Sequence, residues 1–142
     1  MSDQAVRDYQ RDGVARLRGF FTDERVAEVR AEIDRYIRED LASKPADART
    51  VEADGRAIRN LWRLEQHNAF FKMLAHDPGI TALAARLVGG EPVLHGVETF
   101  NKPARVGLAV PSAPVNATSF VDPPDIVPPW LDSRRASCSD SV

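Results

Sequence analysis

Histidines are the side chains of this sequence best suited to bind a metal, and there are three of them, His67, His76 and His95. A metal centre needs several donors at ligand spacing, and no carboxylate stands at such a spacing from a histidine outside a helix cap. His76 precedes Asp77 at such a cap, His67 lies in a polar turn, and His95 falls on a predicted strand. We therefore expect all three to have surface or structural roles.

Nucleophilic catalysis has little support in the sequence. The single cysteine, Cys138, has no nearby histidine and no second thiol with which to form a disulfide or a zinc site. No serine, histidine and acid set follows a nucleophile-elbow pattern. Metal-independent hydrolysis is thus disfavoured, and a lone cysteine fits a reducing compartment.

The charge of the chain points to no polyanionic partner. Nineteen basic and twenty-one acidic residues are well mixed along 142 residues, so there is no basic stripe for nucleic acid. The start "MSDQAVRDYQRDG" lacks the apolar core of a secretory signal, and no run reaches the ~18 apolar residues of a membrane span. We expect a cytoplasmic protein that binds neither nucleic acid nor membrane.

Four helices are predicted. The first covers residues 3–12 and ends at Gly13, and the longest covers residues 22–42 with Thr22 as its N-cap. Asn68 can cap "AFFKMLA", while Asp77 followed by Pro78 begins a helix over residues 78–88 that stops at Gly89.

The strand signals are shorter. "VARLRGF" alternates apolar and polar residues, and Asp54-Gly55 predicts a hairpin between strands near 49–52 and 57–62, with positive φ at both turn residues. Strands near 93–101 and 105–110 should pair antiparallel around a turn at Lys102-Pro103. The expected core includes five large apolar residues: Trp62, Phe70, Phe71, Leu74 and Leu83.

The amino-acid composition of the chain changes near residue 111. Seven of the ten prolines fall in residues 103–142, and the strand alternation ends there. We predict an ordered part over residues 1–111 and a degenerate tail over residues 112–142, irregular or disordered.

Over roughly residues 6 to 126 the chain resembles the phytanoyl-CoA dioxygenase family. The resemblance rests on an ordered set: a helix, "DGVARLRGFF", the long amphipathic helix, the hairpin, paired short helices ending in "LVGG", and "VETFNKPARVG". Members are Fe(II)- and 2-oxoglutarate-dependent oxygenases with helices packed outside a double-stranded β-helix, or jelly roll. The resemblance implies an α+β fold, an incomplete jelly roll with outer helices, and these two cofactors.

The iron ligands implied by the resemblance are missing. Members hold iron with a His-x-Asp pair and a distal histidine, which leaves open positions on the metal. In the family this pair lies between a Val-Pro and an Asn-Ala-like pair, and Val110-Pro111 and Asn116-Ala117 place it without gaps on Ala113 and Val115. The distal histidine and the keto-acid arginine fall beyond residue 142 in the family. We expect a truncated relative that does not bind the cofactors.

Five other positions match the family's pocket, and each has a plainer interpretation. Lys102 and Glu98 match its mouth, and Arg59 lies near a position that helps hold the keto acid. They also fit a turn lysine, a solvated strand carboxylate and a hairpin arginine. Trp130 matches an aromatic residue of the pocket wall or is a stray apolar loop residue, and Asn116 is similar.

A change of reading frame would explain "SAP" at residues 112–114. The family's Pro-His-Gln, written CCG-CAC-CAG after a T, reads TCC-GCA-CCA one base earlier, which encodes Ser-Ala-Pro. We hypothesise a local frameshift or degraded gene, which an intact genomic reading frame would contradict.

Two functions remain open at this stage. The chain is either a catalytically dead relative of the dioxygenases or a non-enzymatic module. Such a module would pair through an exposed sheet edge with a second copy or an intact paralogue.

Overall fold

The computed structural model describes residues 3–101, and helices make up most of them. Helix α1 spans Asp3–Asp12, as the sequence predicts. Gly13, with a φ of 73°, ends it by donating its backbone N–H to the Tyr9 carbonyl at 2.8 Å. Glycine suits this position because it tolerates positive φ.

The long helix from Thr22 is confirmed in extent but changes type along its length. Helix α2 spans Asp23–Arg35, with Thr22 Oγ1 accepting from the Arg25 N–H. A π-helical turn follows over Tyr36–Asp40, and a 3-10 turn over Leu41–Ser43. Tyr36 and Leu41 are both buried. Residues five apart face the same way only in a turn wider than an α-helical one, so the π turn lets both enter the core.

The hairpin forms where the sequence predicts it. Strand β1 spans Arg49–Val51 and pairs antiparallel with β2, Ile58–Leu61. Its turn differs from the prediction, since Gly55 has positive φ and Asp54 does not. Asp54 Oδ1 instead accepts from the N–H groups of Arg56 and Ala57. A side chain that bonds the backbone ahead of it stabilises the turn without a left-handed residue at its own position.

The strand near 93–101 is much shorter than predicted. Strand β3 is Thr99–Phe100 and pairs antiparallel with β2, which gives the sheet order β1-β2-β3. Ahead of it, the Val97 carbonyl accepts from Leu64 N–H and the Val97 N–H donates to Glu65 Oε2. These bonds to Leu64 and Glu65 replace a strand ladder, so the prediction that His95 lies on a strand is wrong.

The predicted strand "VARLRGF" is also wrong. Residues 14–20 form no ladder with any other described residue, and Gly19 makes a turn with a φ of 69°. Alternation of apolar and polar residues therefore does not produce a strand here, because a strand also needs a partner to bond its backbone.

Three short helices complete the described part: α3 at Leu64–His67, α4 at Ala69–Ala75 and α5 at Pro78–Val88. Both predicted caps are present. Asn68 Oδ1 accepts from the Phe70 and Phe71 N–H groups, and Asp77 Oδ1 accepts from Gly79 and Ile80. Gly89 ends α5 in the left-handed conformation, as predicted.

The core lies between α2, the sheet and helices α3 and α4. Its buried cluster consists of Val29, Tyr36, Leu41, Leu61, Leu64, Phe71 and Leu74. Of the five residues expected in the core, Phe71, Leu74 and Leu83 are buried, whereas Trp62 and Phe70 are only half-buried. The indole Nε1 of Trp62 donates a hydrogen bond to Thr50 Oγ1 at 2.8 Å, so the polar edge of the ring has a partner.

The described residues thus give a mixed helical fold with a small antiparallel sheet, in agreement with an α+β class. The predicted strand at 105–110, the division at residue 111 and the tail over 112–142 lie outside the described residues. None of the helices described is long and apolar enough to cross a membrane.

Candidate functional site

Arg59 lies in the middle of the three-stranded sheet, on β2. Its backbone carbonyl accepts from the Asn101 N–H at 2.7 Å, and the Asn101 side-chain amide donates to the Ile58 carbonyl at 3.2 Å. These two bonds extend the β2–β3 pairing and fix where the Arg59 side chain leaves the sheet. The guanidinium carbon lies 5.8 Å from the centre of the Phe100 ring, within range of a cation–π interaction.

Glu52 is the carboxylate that accompanies Arg59. It is buried, with 8% of its surface exposed, and its Oε1 lies 3.9 Å from Arg59 Nε. The hairpin brings them together because the Glu52 N–H donates to the Ala57 carbonyl across the turn, two residues before Arg59. A buried carboxylate is stable only near a compensating charge or donor. Arg59 therefore has a structural role next to Glu52.

Glu98 precedes β3 on a segment tied to α3. Glu98 is an exposed residue, but partial burial raises the pKa of its carboxyl; His95 opposes that shift, and the like charge of Glu65 adds to it. Glu65 is held near it because its Oε2 accepts from the Val97 N–H at 2.8 Å. The raised pKa means that this carboxyl takes up a proton more readily than a solvated glutamate.

The structure does not bring Arg59 and Glu98 into one cluster. The register pairs Asn60 with Phe100, so Arg59 faces Asn101 while Glu98 lies three residues away, about 10 Å along the strand. The other positions singled out in the sequence, Lys102, Ala113, Val115, Asn116 and Trp130, lie outside the described residues.

The three histidines do not form one site, although His67 and His76 line the same cleft. His67 ends α3, with a buried Nε2 that has no hydrogen-bond partner, and His76 caps α4, with Nδ1 2.8 Å from the Lys72 carbonyl. His95 lies on the exposed segment before β3. Within residues 3–101, no three histidine, cysteine or acidic side chains are placed to hold a metal ion.

Two features of this region escaped the sequence analysis. Glu52 next to Arg59 could have been found from the hairpin register, which places residues 52 and 57 opposite each other. Arg63 gives no such signal: it adopts the left-handed conformation with a φ of 53° and pairs with Asp47. A non-glycine residue there depends on tertiary contacts that local sequence does not show.

Comparison with protein families gives one match over most of the chain. The family model described as "Phytanoyl-CoA dioxygenase (PhyH)" matches residues 9–131. That range includes Arg59 and Glu98 and also residues 113 and 115.

Curated relatives include ectoine dioxygenases. Those of Bordetella parapertussis and Bordetella bronchiseptica are each 29% identical over 107 residues, which is 75% of this chain and 34% of the relative. That of Stutzerimonas stutzeri is 29% identical over 104 residues, 73% of this chain and 34% of the relative. The chain thus spans about a third of the length of these curated relatives.

Proposed function

Because the chain belongs to the phytanoyl-CoA dioxygenase family, we propose that it is a relative of the Fe(II)- and 2-oxoglutarate-dependent dioxygenases in which hydroxylation has been lost. It keeps the helical layer and the first strands of the family's jelly roll. Hydroxylation is the inherited activity of the family, and the two cofactors are those of its active members.

The observation that carries this proposal is the register around "AVPSAPVN", residues 109–116. Val110-Pro111 and Asn116-Ala117 flank the expected His-x-Asp without a gap, which leaves Ala113 and Val115 in the ligand positions. Hydrocarbon side chains offer no lone pair to a metal, whereas the facial site of these oxygenases needs imidazole and carboxylate donors.

The described residues do not supply a substitute. A new iron site would need three donors close enough to share one ion, and residues 3–101 contain no such group. Arg59, which the resemblance puts near a keto-acid position, already lies 3.9 Å from the buried Glu52. The described residues, together with hydrocarbon side chains at positions 113 and 115, therefore do not fit an iron and 2-oxoglutarate centre of the family's kind.

Anaerobic calorimetry with Fe(II), followed by a 2-oxoglutarate consumption assay with ascorbate and oxygen, tests the proposal. An ectoine dioxygenase should be run in parallel as the active control, and ectoine should be included because the relatives are named for it. We expect neither stoichiometric Fe(II) binding nor consumption of 2-oxoglutarate above the buffer rate. Tight Fe(II) binding together with turnover would contradict the loss of activity.

A second candidate function is a binding module that pairs through the edge of its sheet. Strand β3 has β2 on one side, and no other described strand pairs with it. Phe100 on β3 and Val51 on β1 are both 43% exposed. An open edge next to exposed apolar side chains favours strand pairing with another chain.

Light scattering coupled to size-exclusion chromatography tests this second candidate. We expect a dimer that Phe100→Lys shifts to monomer, because a charged side chain on an edge strand opposes pairing. Val14→Lys, which changes an exposed residue outside the sheet, is the matched control and should leave the dimer intact. A wild-type monomer at about 100 μM would argue against pairing at physiological affinities.

A further inference from the structure

A cleft lies alongside α3 and α4. Its volume is about 560 Å³, and the described residues that line it are Glu65, Gln66, His67, Asn68, Ala69, Lys72, His76 and Leu94. On α4 itself, Ala69, Lys72 and His76 are spaced three and four residues apart, so they share one face of the helix. The small Ala69 leaves room between larger neighbours.

The cleft is richer in cationic and donor groups than in carboxylates. Lys72 is exposed, and within residues 3–101 its ammonium group has no ion-pair partner. Among the lining residues within 3–101, Glu65 is the only carboxylate, and one of its oxygens already accepts from the Val97 N–H at 2.8 Å. An incoming anion would therefore meet a positive charge without displacing an existing ion pair.

Two histidines, His67 and His76, line the cleft. His67 Nε2 is buried without a partner, which costs about 1–3 kcal/mol for a polar atom removed from water. His76 Nδ1 lies 2.8 Å from the Lys72 carbonyl. A carbonyl can only accept, so Nδ1 carries the proton and Nε2 remains the free nitrogen of that ring, which becomes a donor when the ring is protonated.

We propose that this cleft binds the oxyanion group of a small molecule, a carboxylate or a phosphate. Lys72 supplies the compensating charge, and the exposed ring of His76, on the same face of α4, supplies the second contact. The cleft is open to solvent, so the ligand keeps much of its hydration and binds with a dissociation constant on the order of 1 mM. This site requires neither iron nor 2-oxoglutarate and is independent of the proposed loss of hydroxylation.

Nuclear magnetic resonance of the imidazoles in the full chain tests the proposal. The chain is titrated with inorganic phosphate and, separately, with malonate, at constant pH and ionic strength. We expect saturable shifts at His67 and His76 and none at His95, which does not line the cleft. Saturation by malonate alone identifies a carboxylate site, and saturation by phosphate alone identifies a phosphate site.

A matched pair of lysine variants separates a site from general ion effects. Lys72→Gln should weaken binding about fivefold, the upper range for one solvent-exposed charge pair, while Lys44→Gln, outside the cleft, should leave it unchanged. The proposal is overturned by equal shifts at all three histidines, by no saturation up to about 50 mM of either anion, or by equal effects of the two variants. The wild-type titration decides the matter even if a variant fails to fold.

Discussion

The side-chain amide of Asn68 donates to Glu32 Oε1 at 2.6 Å, so the residue that caps α4 also binds α2. Its carbonyl oxygen accepts from the first N–H groups of α4, and both polar ends of one short side chain are therefore used. Glu32 is bound in turn by Arg35, whose guanidinium also contacts Asp40 at the π turn. The start of α4 is thus connected to the point at which the long helix changes type.

Asn68→Ala should lower the free energy of unfolding by about 2 kcal/mol, because it removes an N-cap and a hydrogen bond to a charged group together. Urea unfolding measures the change. Thr22→Ala is the control, since Thr22 caps α2 through the Arg25 N–H; it should cost about 1 kcal/mol. Equal losses in the two variants would mean that the bond to Glu32 contributes nothing.

The stability of the fold at low pH should depend on Glu32. Hydrogen bonds from Arg35 lower the pKa of its carboxyl, and Asn68 adds to the effect against the opposing cost of burial. A folded-state pKa below the unfolded value gives stability that is present above the ordinary glutamate pKa of about 4.3 and is lost as the pH falls through the lowered value. Carbon-detected titration of the Glu32 carboxyl should show its pKa rising in Arg35→Gln and, by less, in Asn68→Ala. An unchanged pKa in Arg35→Gln would contradict this account.

Glu98 should show the opposite dependence on pH. Its folded-state pKa is raised, so its contribution to stability is complete below the ordinary pKa and is lost as the pH rises through the raised value. Glu98→Gln should therefore raise the urea midpoint at pH 7 and leave it unchanged at about pH 4. A gain that is the same at both pH values would show that ionisation of Glu98 is not the cause.

Arg63 allows backbone strain to be measured separately from its ion pair with Asp47. Arg63→Ala and Arg63→Gly both remove the ion pair, but glycine accepts a φ of 53° without steric cost. The glycine variant should be about 1 kcal/mol more stable than the alanine variant. At ordinary backbone angles a glycine variant is less stable than an alanine variant. If Arg63→Gly proved less stable than Arg63→Ala, residue 63 would not stay left-handed.

Much of the helical layer could be predicted because its ends depend on local chemistry. Thr22, Asn68 and Asp77 each bond the first backbone donors of the helix that follows, and this pattern is visible in four or five consecutive residues. The π turn at Tyr36 could not be predicted from local sequence. It lets Tyr36 and Leu41 both be buried, and their burial depends on how the core packs.

Strands were harder to predict because they also depend on contacts between segments that are distant in sequence. Residues 14–20 and 93–98 have strand-like alternation, yet the backbone groups of Val97 bond α3 and not a strand. Arg59 was found through the family resemblance alone, and its partner Glu52 only through the hairpin register in three dimensions. Local pattern specifies caps and turns, whereas ladders and ion pairs require knowledge of which segments meet.

The ligand register at residues 113 and 115 can be tested by restoring donors. Ala113→His with Val115→Asp places an imidazole and a carboxylate two residues apart, which on an extended strand point to the same side. Ala113→His with Asn116→Asp introduces the same two groups three residues apart, on opposite sides, and is therefore the control. Absorption spectroscopy with Co(II) should show no binding by the wild type and at least about tenfold tighter binding by the 113/115 variant than by the control. Equal binding by the two variants would mean that positions 113 and 115 do not share a face. The assignment of Ala113 and Val115 to the iron-ligand positions would then be wrong, and with it the main support for a loss of hydroxylation.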